Sequence, residues 1–222
     1  MKKSCYLTTL FLLFLAVGNI DIKGENLIKT NIIGHWNYPP NSVQTIYVES
    51  EGDDVELFIN GISFGHGKRD SESLFRFDNV IFQPGDLTAV SYNENGSELS
   101  RQNLRTAGTP AQLELTVIEN PDGFRANGAD IAEIQFKVAD FQGNRCGNDE
   151  RIVTLEIDGP AEFIEVNSKG EYYPSNEKSI KVENGKNSAI VRSEKTAGKI
   201  IVNAKAKGLA PVSVTFNSTP VE

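Results

Sequence analysis

The sequence predicts an all-β protein: two consecutive immunoglobulin-like β-sandwich domains that follow a signal peptide. Three observations lead to this fold class. Short runs of alternating apolar and polar residues recur along the chain, and turn signals separate them about every 8–12 residues. No stretch shows the apolar stripe of an amphipathic helix. A Gly/Pro-containing break, Ala107-Gly108-Thr109-Pro110, divides the strand pattern into two halves of ordinary domain size.

The first 18 residues have the pattern of a signal peptide. Lys2 and Lys3 precede an almost wholly apolar run from Leu7 to Val17, and Ala16-Val17-Gly18 offers small residues for cleavage. The run is shorter than the roughly 20 residues that a membrane-spanning helix needs. We therefore expect export to the periplasm or the extracellular space, with no stable membrane span after cleavage. The alternative is an uncleaved N-terminal anchor. Residues 19–31 are polar and are expected to form a flexible lead-in.

The first domain is expected over residues 32–107 and contains the clearest hairpin of the chain. In Val55–Gly65 (VELFINGISFG), apolar and polar residues alternate up to Asn60-Gly61, the dipeptide best suited to a two-residue type I′ turn. Ile62 then begins the return strand. Strands are predicted over 45–49, 55–59, 62–64, 74–77, 80–82 and 87–92.

The second domain is expected over residues 108–222, with about seven short strands. They are predicted over 113–117, 132–138, 153–157, 189–192, 200–206 and 212–216. Asp140-Phe141-Gln142-Gly143-Asn144 is expected to form a turn in which the aspartate caps backbone amides. Cys5 leaves with the leader and Cys146 remains alone, so stability must come from the core.

The order of these motifs resembles one protein family. IIGHWNYPP, TIYVES, VELFINGISFG, FRFDNVIF, PGDLTAVSYNENG and LRTAGTPAQLEL are similar to successive segments of the C-terminal β-sandwich region of glycoside hydrolase family 2, the β-galactosidase-like enzymes. ANGADIAEIQFKVADFQGNR resembles the opening of the last domain in that family. The resemblance covers about residues 32 to 216.

The resemblance implies accessory domains and not the catalytic part of these enzymes. Members of the family carry their two catalytic glutamates on a (β/α)₈ barrel, which takes about 250 residues. This chain has 222 residues and no alternating strand–helix pattern, so no glutamate is assigned a catalytic role. No catalytic residue and no cofactor are therefore expected.

Charge and residue spacing disfavour two further classes of function. The net charge is −8, and it becomes −10 when Lys2 and Lys3 leave with the leader, which disfavours nucleic-acid binding. His35 and His66 are far apart in sequence and indicate no metal site. The carboxylates between Glu49 and Glu56 fit no metal-binding loop and are interpreted as a solvated turn.

Four aromatic residues are the candidates for carbohydrate binding, because flat aromatic rings stack on sugar rings. Trp36 and Tyr38 lie in the Pro-flanked segment that opens the first domain, and Tyr172 and Tyr173 lie in a polar stretch of the second. The alternative is that Trp36 packs against the sandwich and that the tyrosines cover a loop.

The leading hypothesis is an exported, non-catalytic accessory module that binds carbohydrate or docks to the catalytic subunit of a glycoside hydrolase. A second hypothesis is a fragment of a split or internally deleted hydrolase. A third is a structural or adhesive spacer, since consecutive sandwiches often separate other parts of a protein.

Overall fold

The computed structural model describes residues 29–166 and 172–221, and every regular element in these ranges is a β-strand. This confirms the predicted all-β class, whereas the predicted signal peptide lies outside the described residues. No helix among the described residues has the length and apolarity to cross a membrane. The first eight strands are β1 (Thr30–Ile33), β2 (Val43–Ser50), β3 (Asp54–Ile59), β4 (Ile62–His66), β5 (Lys68–Arg69), β6 (Leu74–Ile81), β7 (Asp86–Tyr92) and β8 (Glu98–Arg105).

These strands form two four-stranded antiparallel sheets. One sheet has the order β1-β2-β6-β5 and the other has the order β4-β3-β7-β8. In β3 the buried residues Val55, Leu57 and Ile59 alternate with half-exposed ones, as a strand with one face on a core requires. Each large apolar side chain buried in this way contributes about 1.5–3 kcal/mol.

The remaining strands form a second pair of sheets. They are β9 (Gln112–Ile118), β10 (Ile131–Ala139), β11 (Ile152–Asp158), β12 (Ala161–Val166), β13 (Tyr172–Ser175), β14 (Glu177–Lys181), β15 (Lys186–Ser193), β16 (Gly198–Ala206) and β17 (Val212–Ser218). The sheet orders are β13-β12-β15-β10-β9 and β14-β11-β16-β17. One cluster of buried residues forms their core, in which Ile134, Val191 and Phe163 of the first sheet join Leu155 and Val202 of the second.

The described chain divides into two compact units. The first contains the residues up to Ile33 together with Val43–Val80 and Leu87–Asn103. The second contains Gly34–Ser42, Ile81–Asp86 and the residues from Leu104 onward. The domain boundary drawn from sequence between residues 107 and 108 stays a prediction.

Several strand limits differ from those predicted, for identifiable reasons. β1 begins at Thr30, inside the expected lead-in, where the Thr30 hydroxyl is buried and hydrogen-bonded to Ser91. β6 is one strand rather than two, because Asn79 adopts a φ of 59° between its halves without ending it. β8 and β14 are rich in polar residues and give no clear alternation in the sequence.

Candidate functional site

An open groove of about 430 Å³ lies at one end of the sheet β4-β3-β7-β8 in the first unit. Its lining combines two rings, an amide and four carboxylates, supplied by β3 and the residue before it, by β4, by the end of β7 and by the turn between β7 and β8. The lining residues are Asp53, Asp54, Glu56, His66, Tyr92, Asn93, Glu94 and Gly96.

The strand register explains why these side chains meet. Asp54 pairs with Tyr92 on β7, and Glu56 pairs with His66 on β4. Asp54 and Glu56 alternate with Val55, which is fully buried, so both carboxylates project from the outer face of the sheet. The neighbouring strands place the Tyr92 and His66 rings on the same face.

Hydrogen bonds hold the two rings against the two carboxylates. His66 Nδ1–H donates to Asp54 Oδ2 at 2.5 Å, and the Tyr92 hydroxyl donates to Glu56 Oε2 at 3.3 Å. Burial, and then the charge of Glu56, raise the pKa of Tyr92, so its hydroxyl stays protonated. Ser63 also donates to Glu56 rather than to His66, so its hydroxyl and the histidine form no nucleophile–base pair.

The turn between β7 and β8 forms the rim of the groove. The Asn93 side-chain oxygen accepts hydrogen bonds from the backbone N–H groups of Asn95 and Ser97, at 3.0 and 2.9 Å. Gly96 has a φ of 75°, which an L side chain rarely adopts, and its N–H donates to the Asn93 carbonyl. The rim is therefore shaped before any ligand arrives.

The groove suits a ligand that carries several hydroxyl groups. Carboxylates accept hydrogen bonds and the Tyr92 ring offers an apolar face, a combination that matches the polar and C–H surfaces of a sugar. Within the described ranges no group of three or more His, Cys, Asp or Glu side chains is arranged to hold a metal ion.

Two of the aromatic residues predicted from the sequence to bind carbohydrate, Trp36 and Tyr38, belong to the second unit, whereas the groove belongs to the first. Trp36 is 1% exposed, its Nε1–H donates to the Gln83 carbonyl, and its ring contacts Phe82 edge-on at 4.8 Å. Tyr38 is half-buried against the rings of His35 and Phe82. Trp36 therefore presents no free face to a sugar in this conformation.

The other two aromatic candidates are Tyr172 and Tyr173. Their backbones belong to β13 and pair with Val166 and Glu165 of β12. Their side chains lie outside the described residues. The proposed carbohydrate role of these two tyrosines stays a prediction.

Local sequence does not identify the groove. It predicts a solvated turn for the carboxylates that include Asp53, Asp54 and Glu56, and it indicates no metal site at His66. The available signal was the alternation in β3, which places Asp54 and Glu56 on one face. The strand pairing that adds Tyr92 to that face is not visible in the local pattern.

Family comparisons match both halves of the chain. Residues 115–215 match the family described as glycoside hydrolase family 2 C-terminal domain 5. Residues 41–100 match a domain of unknown function, DUF4982.

The curated relatives are glycosidases, and this chain matches a small part of each. It is similar to a β-glucuronidase from Formosa agariphila, with 34% identity over 195 residues that cover 87% of this chain and 20% of the relative. It is also similar to the β-galactosidase BoGH2A from Bacteroides ovatus, with 28% identity over 187 residues, 81% of this chain and 21% of the relative. The chain thus spans about a fifth of the length of these relatives.

Solved structures give the same result. The structure of a β-glucuronidase from glycoside hydrolase family 2 superposes with a TM-score of 0.69 at 34% identity, covering 88% of this chain and 20% of that one. A family 2 member from Bacteroides cellulosilyticus superposes with a TM-score of 0.61 at 31% identity, covering 84% of this chain and 24% of that one. The chain therefore corresponds to the C-terminal β-sandwich domains of glycoside hydrolase family 2, and no catalytic barrel is present among the residues that the structure describes.

Proposed function

We propose that this chain is an exported, non-catalytic accessory module that binds carbohydrate in the groove beside Tyr92. The observation that carries the proposal is the groove itself, in which an aromatic ring, a histidine, an amide and four carboxylates converge on one open surface. The leader pattern of residues 1–18 supports export.

The arrangement of the groove is suited to weak, selective binding of a sugar. The carboxylates accept hydrogen bonds from hydroxyl groups, while Asp54 and Glu56 remain fixed by His66 and Tyr92. A single sugar ring of about a dozen non-hydrogen atoms, at about −0.3 kcal/mol each, gains roughly −4 kcal/mol. This free energy corresponds to a Kd of about 1 mM, so an oligosaccharide that fills more of the groove should bind more tightly.

A glycan array probed with the purified chain tests the proposal. We expect binding to a restricted set of glycans, and Tyr92→Ala should weaken it at least tenfold because the stacking face and the hydrogen bond to Glu56 are both lost. Tyr47→Ala is the matched control, since Tyr47 is a surface tyrosine of β2 in the other sheet. The absence of binding to every glycan would refute the carbohydrate role.

Docking to a catalytic subunit is the second candidate, and a different surface favours it. Val43 and Tyr47 are exposed on the same face of β2, and Tyr47 pairs with the exposed Ile33 of β1. Exposed apolar residues that cluster in this way are typical of protein contacts. About four-fifths of each relative lies outside the matched region, and the catalytic part within it is the candidate partner.

The docking candidate has its own test, which also bears on the hypothesis of a split hydrolase. The catalytic part of the Formosa agariphila relative, produced without the region matched here, should bind this chain in sedimentation experiments. Tyr47→Ala should weaken that association and leave glycan binding unchanged, whereas Tyr92→Ala should do the reverse. No association at tens of micromolar would count against docking and leave the glycan proposal standing.

A further inference from the structure

Within the second unit, the segment Gly34–Ser42, here called the Trp36 segment, is held by the loop Asp140–Asp149. The Arg145 guanidinium donates a hydrogen bond to the Gly34 carbonyl. Gly147 lies directly against His35: a Cβ atom built on this glycine would come within 2.1 Å of the Cβ of His35. Such an approach is open to glycine alone, so the loop and His35 are closely fitted.

The hydrogen bonds of His35 require its neutral form. Nδ1 accepts a hydrogen bond from the backbone N–H of Asn37 at 3.1 Å, so the ring proton lies on Nε2. The ring stacks on Tyr38 with centroids 4.4 Å apart and planes inclined by 30°. Asn37 in turn fixes the segment to Ala107 through two hydrogen bonds, at 2.9 and 3.2 Å.

The charges around His35 also oppose protonation. Burial and then Arg145 lower the pKa of His35 below its ordinary value of 6.5. Burial lowers the pKa of the Arg145 guanidinium. The pKa of Lys186 on β15 is lowered too, mainly by burial and then by the charge of Arg145, while the charge of Glu133 on β10 raises it. Tyr38 faces the ring from the segment itself, and burial raises its pKa, so it is uncharged.

We propose that the Trp36 segment is a proton-sensitive latch, closed on the Asp140–Asp149 loop while His35 is neutral and released when His35 binds a proton. When Nδ1 takes a proton from solvent, it changes from an acceptor to a donor. Two N–H donors, that of Nδ1 and that of Asn37, then face each other, and the hydrogen bond between them is lost. The new cation would lie beside Arg145. Both effects weaken the contacts that hold the segment.

The direction of the pH dependence follows from the lowered pKa of His35 in the folded protein. Because the folded protein binds this proton less readily than the unfolded chain, the contribution of His35 to stability is complete above about pH 6.5. This contribution is lost as the pH falls from about 6.5 towards the pKa that His35 has in the folded protein. The latch is therefore closed at neutral pH and opens in mild acid.

Because the chain has one tryptophan and two histidines, tryptophan fluorescence can follow the release of the segment. Trp36 is the one tryptophan of the sequence and is buried within the segment, and His35 and His66 are the two histidines. Release of the segment exposes the indole, so its emission should shift to longer wavelength as the pH is lowered from 8 to 4.5. We expect a single-proton transition with its midpoint below 6.5 and no accompanying change in far-ultraviolet circular dichroism.

Two histidine variants separate the latch from other acid effects. His35→Asn keeps an acceptor for the Asn37 N–H but does not titrate, so the emission transition should disappear; His66→Asn should retain it. Should His35→Asn fold poorly, the NMR titration of the two histidine rings in the unaltered chain assigns the midpoint. The latch is refuted when the transition persists in His35→Asn, when emission is constant down to pH 4.5, or when circular dichroism changes at the same midpoint.

Discussion

At the scale of single residues, Asp140 organises the turn after β10. Its Oδ1 accepts hydrogen bonds from the N–H groups of Gln142 and Asn144, and its Oδ2 accepts from Gly108 N and Asn144 Nδ2, all between 2.8 and 3.0 Å. These bonds confirm the turn predicted for residues 140–144. The link to Gly108, 32 residues earlier, depends on the tertiary fold and could not be predicted from local sequence.

Removal of this carboxylate should destabilise the protein in a pH-dependent way. Burial alone raises the pKa of Asp140, but the hydrogen bonds from Gly108, Asn144 and Gln142 outweigh it and lower the pKa to about 2. Asp140→Ala should therefore cost about 1.5–3 kcal/mol at pH 7, by urea denaturation. The pKa of Asp140 in the folded protein lies below the ordinary 3.8. The loss of unfolding free energy in Asp140→Ala should therefore be complete above about pH 4 and shrink as the pH falls towards 2.

The control for this variant is Asp158→Ala, which removes an exposed carboxylate at the end of β11. It should change the free energy of unfolding by less than about 0.5 kcal/mol. Equal effects of the two variants at pH 7 would show that the hydrogen bonds of Asp140 contribute nothing special to stability.

Trp36 illustrates the limit of residue-level prediction. Its position beside Tyr38 and two prolines fitted both a sugar-stacking role and a packing role. The hydrogen bond to Gln83 and the contact with Phe82 that bury it come from a segment more than 40 residues away. Neither contact can therefore be predicted from the residues that neighbour Trp36 in sequence.

At the scale of elements, the β3–β4 hairpin is the best predicted feature. Asn60 and Gly61 both have positive φ, 51° and 80°, and Ile59 pairs with Ile62 across them, as the predicted type I′ turn requires. The sequence pattern did not reveal the register shift between Leu57 and Phe58. Such a bulge depends on how the edge strand twists against its neighbour.

The turn glycine gives a direct test of this element. Gly61→Ala should destabilise the protein by about 1–2 kcal/mol, because an alanine at this φ brings its Cβ close to the following carbonyl. Gly108→Ala is the control: its φ lies outside the left-handed region, and its Cβ would meet Asp140 at an ordinary 3.7 Å. Thermal unfolding of both variants makes the comparison, and an unchanged midpoint for Gly61→Ala would contradict the assigned turn.

At the scale of the whole molecule, the sequence predicted the fold class and the family from the order of its strand motifs, but it did not predict the candidate site. The family resemblance depends on local segments such as VELFINGISFG, and this segment forms a strand and a turn in the structure as predicted. The groove instead requires β3 to lie between β4 and β7 in one particular register. That arrangement brings together residues up to about 40 positions apart.

The chain combines the C-terminal scaffold of a glycosidase family with a groove for which we propose carbohydrate binding. The hairpin that marks the family also supplies Asp54, Glu56 and His66 to that surface. The same hairpin thus carries both the family resemblance and part of the proposed binding site.

The most direct test of this account is an NMR titration of the isotope-labelled chain with a glycan identified on the array. We expect the amide shifts to change with saturation and to be concentrated at residues 53–56, 66 and 92–96, with Tyr92→Ala abolishing them. Shifts concentrated elsewhere would contradict the assigned site, and no shifts at millimolar concentrations of any glycan tested would contradict the carbohydrate-binding role itself.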